Sequence, residues 1–390
     1  MENKIKQQRL LAVQRFRNGE SPNSICASLG KSKAWLYKWI ERSLSGDDSW
    51  SKSQSRRPLS NPVRTPTEVE EVVKIVRLSL YNQDLFCGAQ AIRWELEDLG
   101  VEPLPSIRTI NRILSRNELT HRRTGKYKAK GTAYPNLPSL FPNQTHQADL
   151  VGPCYLKGPV RFYSLNVIDT ATVRCGLHPD LCKSGQAILD GFWAIWKRMG
   201  VPNHVQVDNA MSFFGSPTHP RGMGPLIRLC LLNGVEPWFV PMAEPWRNGM
   251  VESFNDRYQQ MFLSKKEMFS LNDLKVGSLA FEQRHNSRYR YSKIGGKTPL
   301  NALTVSKAKL RFPPNDIEIP RHRLKKPTTG KYHLVRLIRS DMKINIFGEI
   351  FPVPPELKHE YVVATIDVKE QKMKLFLGKS QVDEINYKLR

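Results

Sequence analysis

Apolar residues recur at helical spacing through the first fifty residues, and the pattern predicts three short helices. The second helix begins at Ser21 and Pro22, because serine caps a helix and proline suits its first position, and it ends near Gly30. The third helix begins after Ser32 and turns an apolar face inward, formed by Trp35, Leu36, Trp39 and Ile40. Residues 1–48 are therefore predicted to form a small all-α domain.

The outer face of the third helix is basic, because Lys33, Lys38 and Arg42 point away from its apolar side. A short turn followed by a helix with a basic face is typical of a helix-turn-helix unit that binds DNA. A plain three-helix bundle with a solvated charged side is the alternative interpretation of this segment alone.

A second helical domain is predicted over residues 64–120, after a polar, serine-rich linker over residues 49–63 that contains Arg56 and Arg57. A capping sequence at 65–68 opens its first helix, and two more helices follow over Ala89–Leu99 and Ser106–Ser115. The apolar face of the last helix comprises Ile107, Ile110, Ile113 and Leu114, and its exposed face comprises Arg108, Asn111, Arg112 and Arg116. We expect a second, winged-helix-like helix-turn-helix domain with this helix as its recognition helix.

A basic run occupies residues 121–130, within a linker over residues 121–142 that becomes rich in proline. Basic runs are usually only solvated. Here the run directly follows two predicted DNA-binding domains, so Arg122, Arg123 and Lys126 are expected to contact the phosphate backbone, as are the linker residues Arg56 and Arg57.

From residue 143 the pattern changes to that of β-strands, which then alternate with helices. This order is typical of an α/β fold with a mixed sheet, and residues 143–305 are assigned to it. The predicted strands are Thr145–Val151, Arg161–Asp169, Val173–His178, His204–Val207 and Pro237–Val240, and the predicted helices are Ser184–Met199, Pro225–Leu232, Arg247–Leu263 and Leu271–Asn286.

The last part of the chain is predicted to be a basic linker over residues 306–328 and a small β-barrel over residues 329–390. The barrel is inferred from short alternating strands with tight turns between them. A generic β-domain explains this signal equally well. The predicted strands are Tyr332–Arg339, Lys343–Phe347, Tyr361–Asp367 and Lys372–Leu377.

Charge and cysteine usage narrow the class of protein. The net charge of +24 favours a polyanionic partner and argues against an enzyme of neutral metabolites. The six cysteines show no paired spacing, so neither a zinc module nor a disulfide framework is indicated, and no apolar run reaches the length of about 18 residues that suggests a membrane span. A cytoplasmic, nucleoid-associated prokaryotic protein is expected.

Three acidic residues stand where the predicted α/β domain could bring them together. Asp149 lies in the first strand, Asp208 follows the strand His204–Val207, and Glu252 lies near the start of a helix. Carboxylates are hard oxygen ligands for Mg²⁺. Two such ions can stabilise the attacking and leaving oxygens when a phosphodiester is cleaved. The pattern therefore predicts a metal-dependent site for phosphoryl transfer.

Four short motifs in this domain resemble the retroviral-integrase superfamily. The stretch from Pro245 to Asn255 resembles its Pro-x-x-x-Gly-x-Val-Glu-x-x-Asn signature, and Val207-Asp208-Asn209 resembles the end of one of its strands. Gln147-Ala148-Asp149 and Val167-Ile168-Asp169 resemble its first two strands. The resemblance covers about residues 140–305, and the other domains agree with bacterial insertion-sequence transposases. It implies an RNase H-like integrase core.

The sequence departs from this pattern at two points. Ala210 stands where the family usually has glycine, and the usual spacing from the second aspartate points to Glu244 rather than Glu252. Glu252 is preferred because its surrounding residues match the signature, and a loop extension over Gly215–Gly224 accommodates the longer spacing. We expect structural roles for Asp169 and Asp180. Core or surface roles are expected for His146, His204 and His219. By the resemblance, Arg247 and Asn248 are expected to contact DNA or the groups around the metal ions, because helix N-termini favour phosphate.

The resemblance implies a transposase that binds terminal inverted repeats of double-stranded DNA and catalyses cleavage and strand transfer. Asp149, Asp208 and Glu252 would be its catalytic and metal-binding residues, with two Mg²⁺ or Mn²⁺ ions per site. At least a homodimer is expected, because two element ends must be joined, and an accessory protein is compatible with the scheme. The alternatives are a non-catalytic DNA-binding regulator with a relic core and a simple RNase H-like nuclease.

Overall fold

Three helices form the N-terminal unit in the computed structural model, which describes residues 2–45, 49–53, 65–120, 134–214, 221–314 and 324–390. They are α1 (Glu2–Arg17), α2 (Pro22–Leu29) and α3 (Lys33–Leu44). Ser21 and Ser32 cap α2 and α3 through side-chain oxygens that accept backbone N–H groups, and Gly30 ends α2 with φ of 64°. The predicted start and end of α2 and the predicted start of α3 are confirmed.

Trp39 connects the elements of the N-terminal unit. Its side chain is buried, and the Arg9 guanidinium lies 4.0 Å from its ring centroid. Arg9 also donates to the Ser51 carbonyl and the Ser53 hydroxyl. Cation–π contacts of this kind orient both partners, so one arginine links α1 to α3 and to residues 49–53.

A second bundle is formed by α4 (Thr67–Asn82), α5 (Ala89–Asp98) and α6 (Ile107–Arg116). Ile110, Ile113 and Leu114 are buried, as the pattern predicted. The inward position predicted for Ile107 is wrong, because this side chain is 40% exposed. Ile107 begins the helix at the edge of the bundle, where it lines a groove of about 700 Å³ that also contacts Arg257 and Tyr291.

The second bundle packs on the α/β domain through Asp84. Its carboxylate pairs with Lys265 and Arg284, and its carbonyl accepts the Tyr289 hydroxyl at 2.6 Å. Tyr289 is buried within the apolar core of the bundle. A second ion pair, between Arg290 and Asp98, makes the same kind of contact. Basic residues of the α/β domain therefore pair with carboxylates of the helical bundle.

A nine-stranded mixed sheet forms the centre of the second compact unit, Thr67–Arg390. Its strands run in the order β11-β10-β9-β6-β5-β4-β1-β2-β3. The elements of the central part are β1 (Thr145–Tyr155), β2 (Arg161–Asp169), β3 (Cys175–Asp180), α7 (Gly185–Met199), β4 (His204–Val207), α8 (Met211–Phe214), α9 (Pro225–Leu232), β5 (Glu236–Phe239), α10 (Gly249–Tyr258), α11 (Leu271–Arg288) and α12 (Pro299–Ser306). The predicted α/β layout with a mixed sheet is confirmed, since β1, β4 and β5 are parallel and β1, β2 and β3 antiparallel.

One predicted helix is divided into three. The segment predicted as a single helix over residues 247–263 consists of a 3₁₀ turn at Pro245–Asn248, α10, and a π-helical turn at Gln259–Leu263. The 3₁₀ turn places the start of α10 at the edge of β1. The division of the predicted helix therefore determines where α10 enters the site described below.

The C-terminal strands are antiparallel, but they do not close into a separate barrel. They are β6 (Lys331–Leu337), β7 (Lys343–Ile346), β8 (Glu349–Pro352), β9 (Tyr361–Asp367), β10 (Lys372–Leu377) and β11 (Ser380–Asn386). β6 pairs in parallel with β5, at Trp238 with His333 and at Phe239 with Leu334. The edge of β5 is thereby covered, and β6, β9, β10 and β11 continue the central sheet, while β7 and β8 form a hairpin.

One apolar core runs through both parts of this sheet. Val207 and Phe239 from the central strands belong to the same buried cluster as Leu334, Val362 and Leu375 from the C-terminal strands. All six cysteines are free. Among the helices in the described ranges, none has the length and apolarity needed to cross a bilayer.

Replacing Leu334 with alanine tests this shared core. Leu334 is fully buried at the junction of β5 and β6, so Leu334→Ala should cost about 2–5 kcal/mol. Because the core is shared, hydrogen exchange should show central and C-terminal strands losing protection together. Leu232→Ala, at a 48% exposed position, should change stability by only about 0.5 kcal/mol. Loss of protection confined to β6–β11 would contradict a common core.

Candidate active site

The pairing of β1 with β4 places Asp149 beside Asp208. Gln147 pairs with Gln206 in parallel register, and each aspartate lies two residues further along its strand direction. Side chains two residues apart in a strand point to the same face. On the other side, Asp149 is paired with Asn166 of β2. The sheet thus brings two carboxylates from distant parts of the sequence to neighbouring positions.

Glutamine and asparagine side chains hold the start of α10 against this part of the sheet. Gln147 Oε1 accepts the backbone N–H groups of Met250 and Val251 at 3.1 and 3.2 Å. Gln206 Nε2 donates to the Arg247 carbonyl at 2.9 Å, and Asn248 Nδ2 donates to the Ala148 carbonyl at 2.9 Å. These bonds fix the N-terminus of α10 to β1 and β4, and Glu252 is in its first turn.

Asn255, one turn after Glu252, makes direct contact with Asp149. Its Nδ2 donates to Asp149 Oδ2 at 2.7 Å, and its Oδ1 accepts from Asn166 Nδ2 at 2.8 Å. Asn166 in turn accepts the Ser164 hydroxyl at 2.7 Å. Because Asn166 occupies the Asn255 carbonyl, the amide of Asn255 is oriented with its N–H groups toward the Asp149 carboxylate.

The turn after β4 is ordered by its own side chains. Asp208 Oδ1 accepts the backbone N–H of Ala210 at 3.0 Å. Asn209 donates to the Val240 carbonyl and accepts from Arg336 at 2.9 Å. Ala210 is not in the left-handed region, so the conformation of this turn does not require the glycine that the family usually has here.

The three carboxylates are electrostatically linked through Asp149. Burial raises the pKa of Asp149 above its ordinary value, and the nearby Asp208 charge raises it further, against the lowering effect of the Leu150 and Asn255 N–H groups. Burial also raises the pKa of Asp208. The pKa of Glu252 is raised by burial and by the charges of Asp149 and Asp256. Like charges held together in this way are what a bound cation would stabilise.

The donor chemistry of this site suits a divalent cation, but the three carboxylates are not gathered around one point. In the described part of the chain, no three His, Cys, Asp or Glu side chains lie close enough together to hold one ion. The Asp208 charge raises the pKa of Asp149, and the Asp149 charge raises the pKa of Glu252. This corrects the expectation of three acidic side chains meeting at one spot, and it is consistent with two pairs that share Asp149.

Glu244, the alternative suggested by spacing, is engaged elsewhere. Its carboxylate accepts from Arg247 at 2.9 Å and from the Tyr361 hydroxyl at 2.7 and 2.9 Å. The Arg247 guanidinium also stacks on Tyr134, 4.1 Å from the ring centroid. The Glu244 carboxylate is thus bound to Arg247 and Tyr361, whereas the Asp149 charge raises the pKa of Glu252.

The residues predicted to contact DNA fall into three groups. Lys33, Lys38, Arg108 and Arg112 are exposed. Arg42 packs over the Trp39 ring, Arg247 is held by Glu244 and Tyr361, and Asn248 is only 3% exposed, with its amide bonded to the Ala148 carbonyl. The geometry gives Asn248 a role in positioning α10, in place of the expected DNA contact. Arg56, Arg57, Arg122, Arg123 and Lys126 lie outside the described residues, as do His219 and most of the loop Gly215–Gly224.

The residues set aside as structural have structural contacts. Asp169 is buried and accepts backbone N–H groups of Ala171 and Thr172 in the turn between β2 and β3, and Asp180 accepts the N–H of Cys182. His146 is buried beside Asn143, and burial lowers its pKa to about 3. These residues stabilise turns and the core.

Four site residues escaped the sequence analysis: Asn166, Gln206, Arg336 and, as a capping residue, Gln147. Gln206 lies two residues before Asp208, and Arg336 is a charged residue among the apolar residues Leu334, Val335 and Leu337. A buried polar residue in a strand needs a hydrogen-bond partner, and this was the signal available for all four. The identity of the partners required the register of the sheet.

Two segments of the chain match known protein families. Residues 233–299 match the integrase core domain, and residues 6–51 match a homeodomain-like domain. The first match includes α10 and Glu252, and the second includes all three helices of the N-terminal unit. The chain thus combines an integrase-type core with an N-terminal helix-turn-helix domain.

Solved structures show only distant similarity. The HTLV-2 integrase catalytic core domain, solved in complex with magnesium, is 16% identical over 42% of this chain and 99% of that one, with a TM-score of 0.32. A chain of the simian T-cell lymphotropic virus intasome, solved in complex with the PP2A regulatory subunit B56 gamma, is 13% identical over 82% of this chain and 97% of that one, with a TM-score of 0.35. Scores this low carry no argument about function. No curated protein matches the sequence significantly.

Asp208→Asn tests whether ionisation of the partly buried Asp208 carboxylate destabilises the fold. A raised carboxyl pKa means that ionisation destabilises the fold, so the stabilising neutral form is lost as pH rises through the folded-state pKa. Without divalent cations at pH 7, Asp208→Asn should therefore raise the Tm by about 2 °C. The gain should disappear near pH 3, where wild-type Asp208 is protonated. Asp190→Asn, at an exposed position of α7, is the control; an equal gain there would contradict the explanation.

Asn255→Asp tests the orientation of the Asn255 amide. The substitution replaces a donor 2.7 Å from Asp149 with a fourth carboxylate. Without metal it should destabilise the fold by about 1–3 kcal/mol at pH 7, measured by chemical denaturation, because a buried acceptor loses its donor and gains a repulsive neighbour. Asn272→Asp, exposed in the first turn of α11, should be neutral or slightly stabilising. A neutral Asn255→Asp would argue against the bond.

Proposed function

We propose that this chain is a DNA transposase or integrase of the bacterial insertion-sequence type, which cleaves DNA at element ends and joins them to a target. The observation that carries the proposal is the arrangement around Asp149, which adjoins Asp208 in the sheet and affects the pKa of Glu252 across to α10. This arrangement lies in and beside the segment that matches the integrase core domain.

The DNA-binding part of the proposal rests on charge and exposure. The chain carries a net charge of +24, and the N-terminal unit matches a homeodomain-like domain with Lys33 and Lys38 exposed on α3. Arg108 and Arg112 are likewise exposed on α6 of the second bundle. We infer that α3 and α6 bind the terminal repeats in the major groove, while the remaining positive charge attracts the phosphate backbone.

Asp149, Asp208 and Glu252 are the proposed ligands of Mg²⁺ or Mn²⁺. A shared Asp149 would serve two ions, one with Asp208 and one with Glu252, which needs no three-residue cluster. When bound, such ions supply positive charge at the scissile phosphate and lower the pKa of the attacking hydroxyl. Asn255 keeps one oxygen of Asp149 oriented, and Gln147 and Asn248 keep the first turn of α10 beside it.

The proposed reaction has two phosphoryl-transfer steps at one site. Water attacks the phosphate at the element end, and the element's 3′ oxygen leaves as a hydroxyl. This 3′ hydroxyl then attacks a phosphate of the target DNA, and the 3′ oxygen of the cut target strand leaves and takes up a proton. The protein forms no covalent bond to DNA in either step. Because two element ends must be joined, the active complex should contain at least two copies of the chain.

The proposal predicts that Asp208→Asn abolishes cleavage but not DNA binding. Purified full-length protein should be incubated with Mg²⁺ or Mn²⁺ and DNA carrying the ends that flank its own gene. Cleavage and strand transfer should fall by about 100-fold or more in Asp208→Asn, because removing one metal-binding carboxylate withdraws several kcal/mol of electrostatic stabilisation. End binding, measured by mobility shift, should stay within about twofold, because α3 and α6 do not contain this residue.

Lys38→Glu provides the converse control, since it should weaken end binding while leaving the carboxylates intact. Binding without any cleavage by the wild type would support a DNA-binding regulator with a relic core. Cleavage without joining would support a nuclease. Loss of binding in Asp208→Asn would make this residue structural.

A further inference from the structure

Arg336 of β6 is a buried charge that bonds to three separate segments around the candidate site. It is 7% exposed. Its Nη2 donates to Asn209 Oδ1 at 2.9 Å, its Nη1 to the Val240 carbonyl at 3.3 Å, and its Nε to the Asn345 carbonyl at 3.0 Å. One guanidinium therefore joins the turn after Asp208, the end of β5 and the β7–β8 hairpin.

In the described part of the chain, the charge of Arg336 is not offset by a carboxylate. Across the ranges that the structure describes, no Asp or Glu oxygen lies within 4.0 Å of Arg336, and the acceptors around it are neutral. Burial lowers its pKa to about 10, so the side chain is still protonated at neutral pH. An unpaired buried charge costs several kcal/mol and is not expected merely to stabilise a fold. Its position next to the Asp208 turn suggests what it does.

A second contact from the C-terminal segment reaches α8, the helix that follows this turn, and the end of β5. Phe347, between β7 and β8, stacks on Phe214 with ring centroids 4.8 Å apart and packs edge-on against Phe239 at 5.6 Å. Phe214 ends α8, which begins three residues after Asp208, and Phe239 ends β5. An aromatic contact and a charged one thus connect the same segments independently.

We propose that Arg336 is a positioning residue that holds the Asp208–Asn209 turn in the arrangement that binds divalent cations, and that the C-terminal strands are thereby part of the active site. The inference rests on the proposed function. Val240 begins the segment that leads to α10, so Arg336 fixes both the Asp208 turn and the approach to Glu252.

The fork of an arginine is needed for this role. A lysine has a single nitrogen and cannot donate at once to Asn209, Val240 and Asn345 in these directions. Arg336→Lys therefore keeps the charge and much of the volume while removing the connection between segments. This makes it the sharpest test of positioning.

The experiment compares Arg336→Lys with the wild type in the full chain. The first readout is the rise in Tm on addition of Mg²⁺ or Mn²⁺, and the second is the Mg²⁺ concentration for half-maximal cleavage of element-end DNA. We expect most of the metal-induced Tm rise to be lost and the half-maximal concentration to increase about 10-fold, with end binding unchanged. Residues that orient metal ligands have effects of this size when replaced.

Arg174→Lys is the matched control. Arg174 is 5% exposed and bonds to Asn143 and the Met199 carbonyl, near the first residues of β1 and away from the Asp208 turn. It should lower the metal-free Tm as Arg336→Lys does, but leave both metal responses intact. If Arg336→Lys does not fold, Phe347→Leu replaces it, with the same shifts at smaller size.

The outcomes separate the two proposals. A wild type that responds to metal and cleaves DNA, alongside an Arg336→Lys that responds equally, overturns the positioning role alone. A wild type that gains Tm with metal but does not cleave overturns the proposed function, while the Tm readout still decides the role of Arg336. A wild type with no metal response overturns both.

Discussion

The structure around the candidate site depends on one electrostatic constraint. Asp149 is held close to two other carboxylates in a partly buried position, and this costs free energy. Burial and repulsion between the carboxylates both oppose their ionisation. The carboxylates would therefore move apart unless the surrounding chain held them in place. Backbone elements hold the carboxylates in place. A parallel strand pair sets the distance between Asp149 and Asp208, and a helix fixed to the same strands carries Glu252.

The groups that hold these elements together are neutral amides rather than ions. Gln147, Gln206, Asn248 and Asn255 bond to backbone or to Asp149, and none brings a charge that would compete with a cation. A lysine or arginine pointing at Asp149 would lower its pKa but would also occupy the place of a metal ion. Amides orient the carboxylates and leave their charge available. Arg336 also leaves the charge of the carboxylates available, because its guanidinium donates to the Asn209 side chain and to backbone carbonyls.

Local pattern was enough to predict most elements. The capped helices α2 and α3, the strands β2, β4, β9 and β10 and the helix α9 follow from caps, alternation and turn residues. Two of the predictions that failed did so because they depended on residues distant in the sequence. The C-terminal strands look like a separate domain in sequence, but the exposed edge of β5 pairs with β6. Ile107 fits the apolar spacing of α6, yet it lies where the bundle meets the core. The site residues could be named from a motif, whereas the register that brings Asp149 beside Asp208 and the reach of Arg336 across three segments could not.

The contact between the second helical bundle and the integrase-type core has a geometric consequence. Asp84 lies between Lys265 and Arg284, and Tyr289 of α11 inserts into the apolar centre of the bundle. The bundle is thus held by side chains and not only by the chain that joins it to β1. The offset between any duplex bound by α6 and a phosphate beside Asp149 would then be a constant of the molecule, independent of how many residues the connecting segment contains.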